Sequence, residues 1–125
     1  MTSLVLKRVY QAPHADDGTR ILVDRLWPRG IAKAKAKIDL WLKDIAPSDR
    51  LRKRFHGKPD DWDAFRAAYF TELNGAAAQA AAKELHDSLQ IGPVTLLYAA
   101  RNEQQNNAVA LKAWLEREGT EVIRK

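Results

Sequence analysis

Two stretches of this sequence hold side chains able to grip an anion. The first is VDRLWPRGI, residues 23–31. Arg25 and Arg29 flank Trp27 and Pro28 there, so two guanidinium groups and an indole share one short segment. Pro28 fixes its own φ and restricts Trp27, while Gly30 permits positive φ or a close backbone approach. Guanidinium groups on a turn stiffened in this way can bind a planar anion bidentately, with the indole as an apolar wall. The competing reading is structural: Asp24 pairs with Arg25 or Arg29 and merely pins the loop. The second stretch is LLYAARNEQQNN, residues 96–107, where Asn102 stands at the junction between an apolar run and a helical pattern. A helix starting there offers unpaired N–H groups and the positive end of its dipole. Tyr98 lies near the strand end, and Asn106, one turn beyond Asn102, is close enough to face the same crevice. Here too a plainer reading stands beside the first, with Asn102 a helix N-cap and Asn106 a surface amide.

Acid–base chemistry has two candidates. Asp24 is one. His56 is the other, following Arg52, Arg54 and Phe55 just before Gly57; such an imidazole either moves protons or stabilises a helix C-terminus. His14, His56 and His86 are widely separated and form no HExxH spacing, so no metal site is expected. With no cysteine, thiolate nucleophiles and Cys-ligated zinc or iron–sulfur clusters are excluded. Neither G-x-G-x-x-G, nor G-x-x-x-x-G-K-[ST], nor G-x-S-x-G occurs, and no cofactor is expected. These residues specify a way to bind before they specify any bond to break, and whether the chain is an enzyme stays open.

The elements that must position them can be read from periodicity. Residues 4–10 and 20–26 are short Val-, Leu- and Ile-rich runs between turn residues and read as strands. Ile38, Leu40 and Leu42 alternate with Asp39, Trp41 and Lys43, which suggests a half-exposed strand. Ser48 is a good N-cap for a short helix carrying Leu51 and Phe55 and stopping at Gly57. Trp62, Phe65, Tyr69 and Leu73 form the stripe of a helix that Asp60 or Asp61 can cap and Asn74-Gly75 ends. The Ala-rich segment 76–89 is a further helix closed by Gly92-Pro93. Residues 94–99, VTLLYA, are continuously apolar, the pattern of a central strand covered on both faces. A helix follows over 104–118 with Gly119 as C-cap, and the final TEVIRK suggests a short edge strand. The expected architecture is a single α/β domain over residues 1–125, with a small, at least partly parallel sheet and helices packed on its faces.

The chain has 125 residues, 46% of them hydrophobic and 30% charged, the balance of a soluble globule. Its net charge of +5 favours anionic partners. The excess is N-terminal: Arg20 to Lys58 holds 12 basic residues against 4 acidic ones. Lys33, Lys35 and Lys37 alternate with alanines and read as a solvated edge or loop. The uncharged run at 88–100 is too short to span a membrane, the N-terminus lacks the order of an export signal, and the absence of cysteine suits the cytoplasm.

KRVY at 7–10, DGTRILVDRLWPRGI at 17–31, APS at 46–48, LRKRFHG at 51–57, TLLYAARN at 95–102 and QNNA at 105–108 closely resemble the YeaO-like bacterial proteins, a branch of the domain of unknown function numbered 488. The resemblance covers nearly the whole chain and implies a compact bacterial cytoplasmic α/β protein. Arg20, Asp24, Arg25, Trp27, Pro28, Arg29 and Gly30 match its first motif, Arg52, Phe55, His56 and Gly57 its second, and Tyr98, Asn102, Gln105 and Asn106 its third. The branch often shows Asn-His where this chain has Asn106-Asn107, so no catalytic imidazole stands at position 107.

The leading expectation is therefore a small-ligand site for a phosphate-bearing or nucleotide-like anion, built from Arg25, Trp27, Arg29, Tyr98, Asn102 and Asn106. One alternative is a nucleic-acid surface, with Trp27 or Trp41 stacking on bases and lysines on phosphates. Another is a protein-interaction module marked by exposed tryptophans.

Overall fold

The computed structural model describes residues 3–55 and 59–117. Four strands, β1 (Leu4–Arg8), β2 (Thr19–Leu22), β3 (Leu40–Trp41) and β4 (Val94–Tyr98), form one sheet in the order β1-β4-β2-β3, with every pairing parallel. β4 is central, as its unbroken apolar run requires: all five of its residues are buried, and Leu96 pairs with Leu6 on one side and Ile21 on the other.

Among the described residues five helices accompany the sheet: α1 (Lys33–Ala36), α2 (Asp49–Phe55), α3 (Trp62–Glu72), α4 (Ala76–Ile91) and α5 (Asn107–Arg117). Because strand side chains alternate, Ile21, Val23, Leu96 and Tyr98 point into one core with Tyr69, Leu85 and Leu111 from the long helices. Leu22 and Leu97 point the other way, into a smaller cluster covered by Trp27, Ile31, Ile38 and Trp41. The segment 27–38, carrying α1, thus roofs the face that the longer helices leave open. Arg20 fixes that roof: buried, and paired with Asp17, it donates through Nε to the Lys37 carbonyl (3.0 Å) and through Nη2 to the Ala36 carbonyl (2.8 Å).

Several boundaries depart from the sequence reading. The strand expected over 38–43 is only Leu40–Trp41, because Lys37 takes positive φ before it and a 3-10 turn, Lys43–Ile45, begins directly after Leu42. The three alternating lysines lie on and just after the one-turn helix α1, exposed as expected. A 3-10 turn, Pro59–Asp61, leads into α3, and the Asp61 carboxylate makes no capping bond. None of the four tryptophans is exposed, which removes the surface marker of the protein-interaction reading. Gly119 and TEVIRK lie outside the described residues. No helix among those described is long and apolar enough to cross a membrane.

Candidate functional site

Past Leu22 the chain still follows β4, since the Val23 N–H donates to the Leu97 carbonyl (3.1 Å), but it can no longer pair with β3. The Asp24 carbonyl instead accepts the Trp41 indole N–H (2.8 Å). From there the Trp-Pro-Arg-Gly turn forms, and its own aromatic closes it: Trp27 Nε1 donates to the Ile31 carbonyl (2.7 Å), around a Gly30 with φ of 75°. Tyr10 adds a hydroxyl bond to the Arg29 carbonyl (3.1 Å). The backbone of this turn is held from both sides, while the Arg29 guanidinium is exposed, with no ion pair or hydrogen bond among the described residues.

Beyond the carboxyl ends of β2 and β4 lies an open cleft of about 850 Å³. That is where parallel α/β sheets bind ligands, because following loops and helix starts converge there. Asp24, Arg25, Trp27, Arg29, Asn102 and Asn106 all line it. Tyr98 does not: it is buried in β4 within the helix-side core, where burial raises the phenol's pKa, helped by Glu103 and opposed by Arg8 and Asn106. His56 lies outside the described residues.

Hydrogen bonding divides these lining residues. Asp24 pairs with neither Arg25 nor Arg29. One carboxylate oxygen accepts the Ala99 N–H (2.9 Å) and the other the Asn107 side-chain amide (2.9 Å), which also donates to the Val23 carbonyl (3.0 Å). Asp24 therefore ties the end of β2 to the end of β4 and the start of α5. Burial pushes its carboxyl above the ordinary carboxylate range, while the bonds from Asn107 and Ala99 and the charge of Arg52 pull it down. Arg25 clamps the loop before α2, donating to the carbonyls of Pro47 (3.2 Å) and Ala46 (3.0 Å).

Asn102 accepts the N–H groups of Gln104 (2.9 Å) and Gln105 (3.0 Å), so its side chain closes a turn ahead of α5. The N-cap of α5 is Asn106, buried, whose side-chain oxygen accepts the Val109 N–H (2.9 Å) while its amide donates to the Asn102 carbonyl (2.9 Å). The expected helix thus starts three residues later, at Asn107, because these two asparagines shape the turn before it.

Several lining residues were not among the expected site residues, Arg52 and Arg101 with them. Arg101 joins Arg29 and Arg52 as an exposed cation of the cleft. Arg52 reaches Asp49 in an exposed pair (3.2 Å), whereas the Arg101 guanidinium has no partner among the described residues. Trp62 and Phe65 belong to the stripe read as core, yet both are half-buried; their rings stack with centroids 5.6 Å apart, and Phe55 meets Phe65 edge-on at 5.9 Å. Asn107, read from sequence only for the imidazole it lacks, is another; its bonds to Asp24 and the Val23 carbonyl span more than eighty residues, a contact no local pattern shows. Among the described residues Asp24 is the only acidic one lining this cleft, and no cluster of three or more His, Asp or Glu side chains could hold a metal ion.

Residues 3–123 match the family model described as the inactive DUF488-N3 subclade. The chain is 50% identical over 109 residues to the uncharacterized protein YeaO of Escherichia coli, an alignment covering 87% of this chain and 93% of that protein. It is 39% identical over 110 residues to the uncharacterized protein Rv3073c of Mycobacterium tuberculosis, covering 88% and 91% respectively. The uncharacterized protein Mb3100c of Mycobacterium bovis is similar to the same extent. No solved structure matches the chain.

Proposed function

The chain belongs to the inactive DUF488-N3 subclade, and from that premise we propose that its cleft binds a small anionic ligand without transforming it. The observation that carries this reading is the convergence of Arg29, Arg52 and Arg101 on a cleft that, among the described residues, holds one carboxylate. These cations come from three separate places: the turn after β2, helix α2, and the loop after β4. Guanidinium forks bind carboxylate or phosphate oxygens in pairs, and three of them around a concave site focus a positive potential that isolated surface arginines lack.

The same geometry argues against acid–base work by Asp24. Both oxygens of Asp24 already accept N–H bonds, and the side-chain amides of Asn102 and Asn106 are engaged in shaping the turn before α5.

Isothermal titration with inorganic phosphate, citrate and ribose 5-phosphate tests the proposal, using wild type beside Arg29→Ala and Arg101→Ala. Each variant should weaken the best-bound anion about ten-fold, the loss of one charge-assisted contact. Binding that both variants leave unchanged overturns the assignment.

A further inference from the structure

Building on that anion-binding reading, we infer that the ligand also carries a planar heteroaromatic ring, in the chemical class of a nucleoside monophosphate. The first argument is size. A cleft of about 850 Å³ lies in the upper part of the usual 300–1,000 Å³ range for ligands of drug or nucleotide size, so a lone oxyanion would leave most of it to water.

The second argument is which surfaces stay available. Arg25 clamps two carbonyls, Asp24 holds two N–H donors, and Asn102 and Asn106 shape the turn before α5. What remains for a guest is cationic charge from Arg29, Arg52 and Arg101 and the amides of Gln105 and Asn102 Nδ2, together with apolar and aromatic surface. A polyhydroxylated sugar would find few uncommitted partners.

The third argument is the shape of that apolar surface. Trp62 and Phe65 stack on each other, 17° from parallel, with the Arg66 guanidinium 5.8 Å from the Trp62 ring centroid, and this half-buried pair lines the cleft on the helix side. Trp27 belongs to the cluster on the opposite face of the sheet, and its indole N–H is already bonded to Ile31, which fixes the ring's orientation. Aromatic surface thus reaches the cleft from both sides of the sheet plane. A ring entering there stacks on Trp62 while its phosphate meets the guanidinium groups.

Tryptophan fluorescence and isothermal titration provide the test, at one fixed ionic strength, with the four ribonucleoside 5′-monophosphates, ribose 5-phosphate, inorganic phosphate, decanoate and a ten-residue oligothymidylate. At least one monophosphate should quench tryptophan emission and bind ten-fold or more tighter than ribose 5-phosphate, the contribution expected of one stacked base. Trp62→Leu should erase that margin and leave ribose 5-phosphate binding unchanged, and Trp62→Phe should restore most of it. If ribose 5-phosphate or decanoate binds as tightly as every nucleotide, the ring assignment falls while anion binding stands. If nothing binds, both fall. If the oligothymidylate binds far more tightly than any monophosphate, the inference gives way to a nucleic-acid surface.

Discussion

Asp24 is a carboxylate held between two N–H donors in a partly buried position, and that combination has a pH consequence of definite sign. Burial raises its pKa in the folded protein, more than the Asn107 and Ala99 bonds lower it. Between the ordinary carboxylate value and this raised one, the folded chain binds more protons than the unfolded chain, so Asp24's contribution to stability falls as pH rises through that window. Asp17 runs the other way: burial pushes it up, but bonds from the His14 N–H, Lys7 and Arg20 outweigh burial and lower its pKa, so its contribution is lost as pH falls. Urea denaturation of wild type and Asp24→Asn between about pH 4 and 7 separates the two, because Asp17 cancels in the difference. The stability of wild type minus that of the variant should decline with rising pH; a flat difference would show that Asp24 titrates normally. At this scale the sequence could mark Arg25 and Arg29 but not tell them apart. What separates them is the position of the Ala46 and Pro47 carbonyls, some twenty residues away, which take up Arg25 and leave Arg29 exposed.

Among the elements, α2 matters because it carries Arg52 and Phe55 into the cleft, and its orientation hangs on Ser48. The Ser48 hydroxyl accepts the Leu51 N–H (3.1 Å), capping α2, and donates to Glu72 (2.6 Å) at the end of α3; the Ser48 N–H donates to the other Glu72 oxygen (2.8 Å). Replacing it with alanine removes a cap and one carboxylate partner together. Ser48→Ala should cost about 1–2 kcal/mol in chemical denaturation. A cost within about 0.5 kcal/mol, the range of ordinary surface substitutions, would show that the cap and its Glu72 tie contribute little. The cap was legible because serine before a Leu51/Phe55 stripe is a local signal, and the tie to Glu72 was not, because it joins two helices. The same distinction explains the other elements. Long periodic stripes gave α3 and α4 nearly whole, whereas α1 is a single turn with no apolar period, and the start of α5 depends on side-chain bonds from Asn102 and Asn106 that no periodicity encodes.

Over the whole molecule, β1 and β2 follow each other in sequence yet never pair, because β4 lies between them and bonds to both. The apolar character of residues 94–98 announced a central strand, but strand order could not be read from the chain, since it is set by contacts between its two ends. The sheet closes where the Thr19 N–H donates to the Pro93 carbonyl (2.9 Å), and Gly18 sits directly against that junction with φ of 65°. A Cβ on Gly18 would stand 2.2 Å from the Pro93 carbonyl oxygen, whereas one on Gly30, at φ of 75°, would meet nothing within 4 Å. The two glycines therefore separate backbone strain from steric wedging. Gly30→Ala should cost about 1–2 kcal/mol, the left-handed penalty alone. Gly18→Ala adds a collision between backbones that cannot both stay in register, and it should cost several kcal/mol, in the range reserved for overpacking. Because β4 is the strand through which β1, β2 and hence β3 are joined, the loss should appear as a lower midpoint of one cooperative transition in thermal and urea melts of the intact chain. Equal effects of the two substitutions would mean that the β2–β4 junction yields locally, and that the sheet does not depend on this closure.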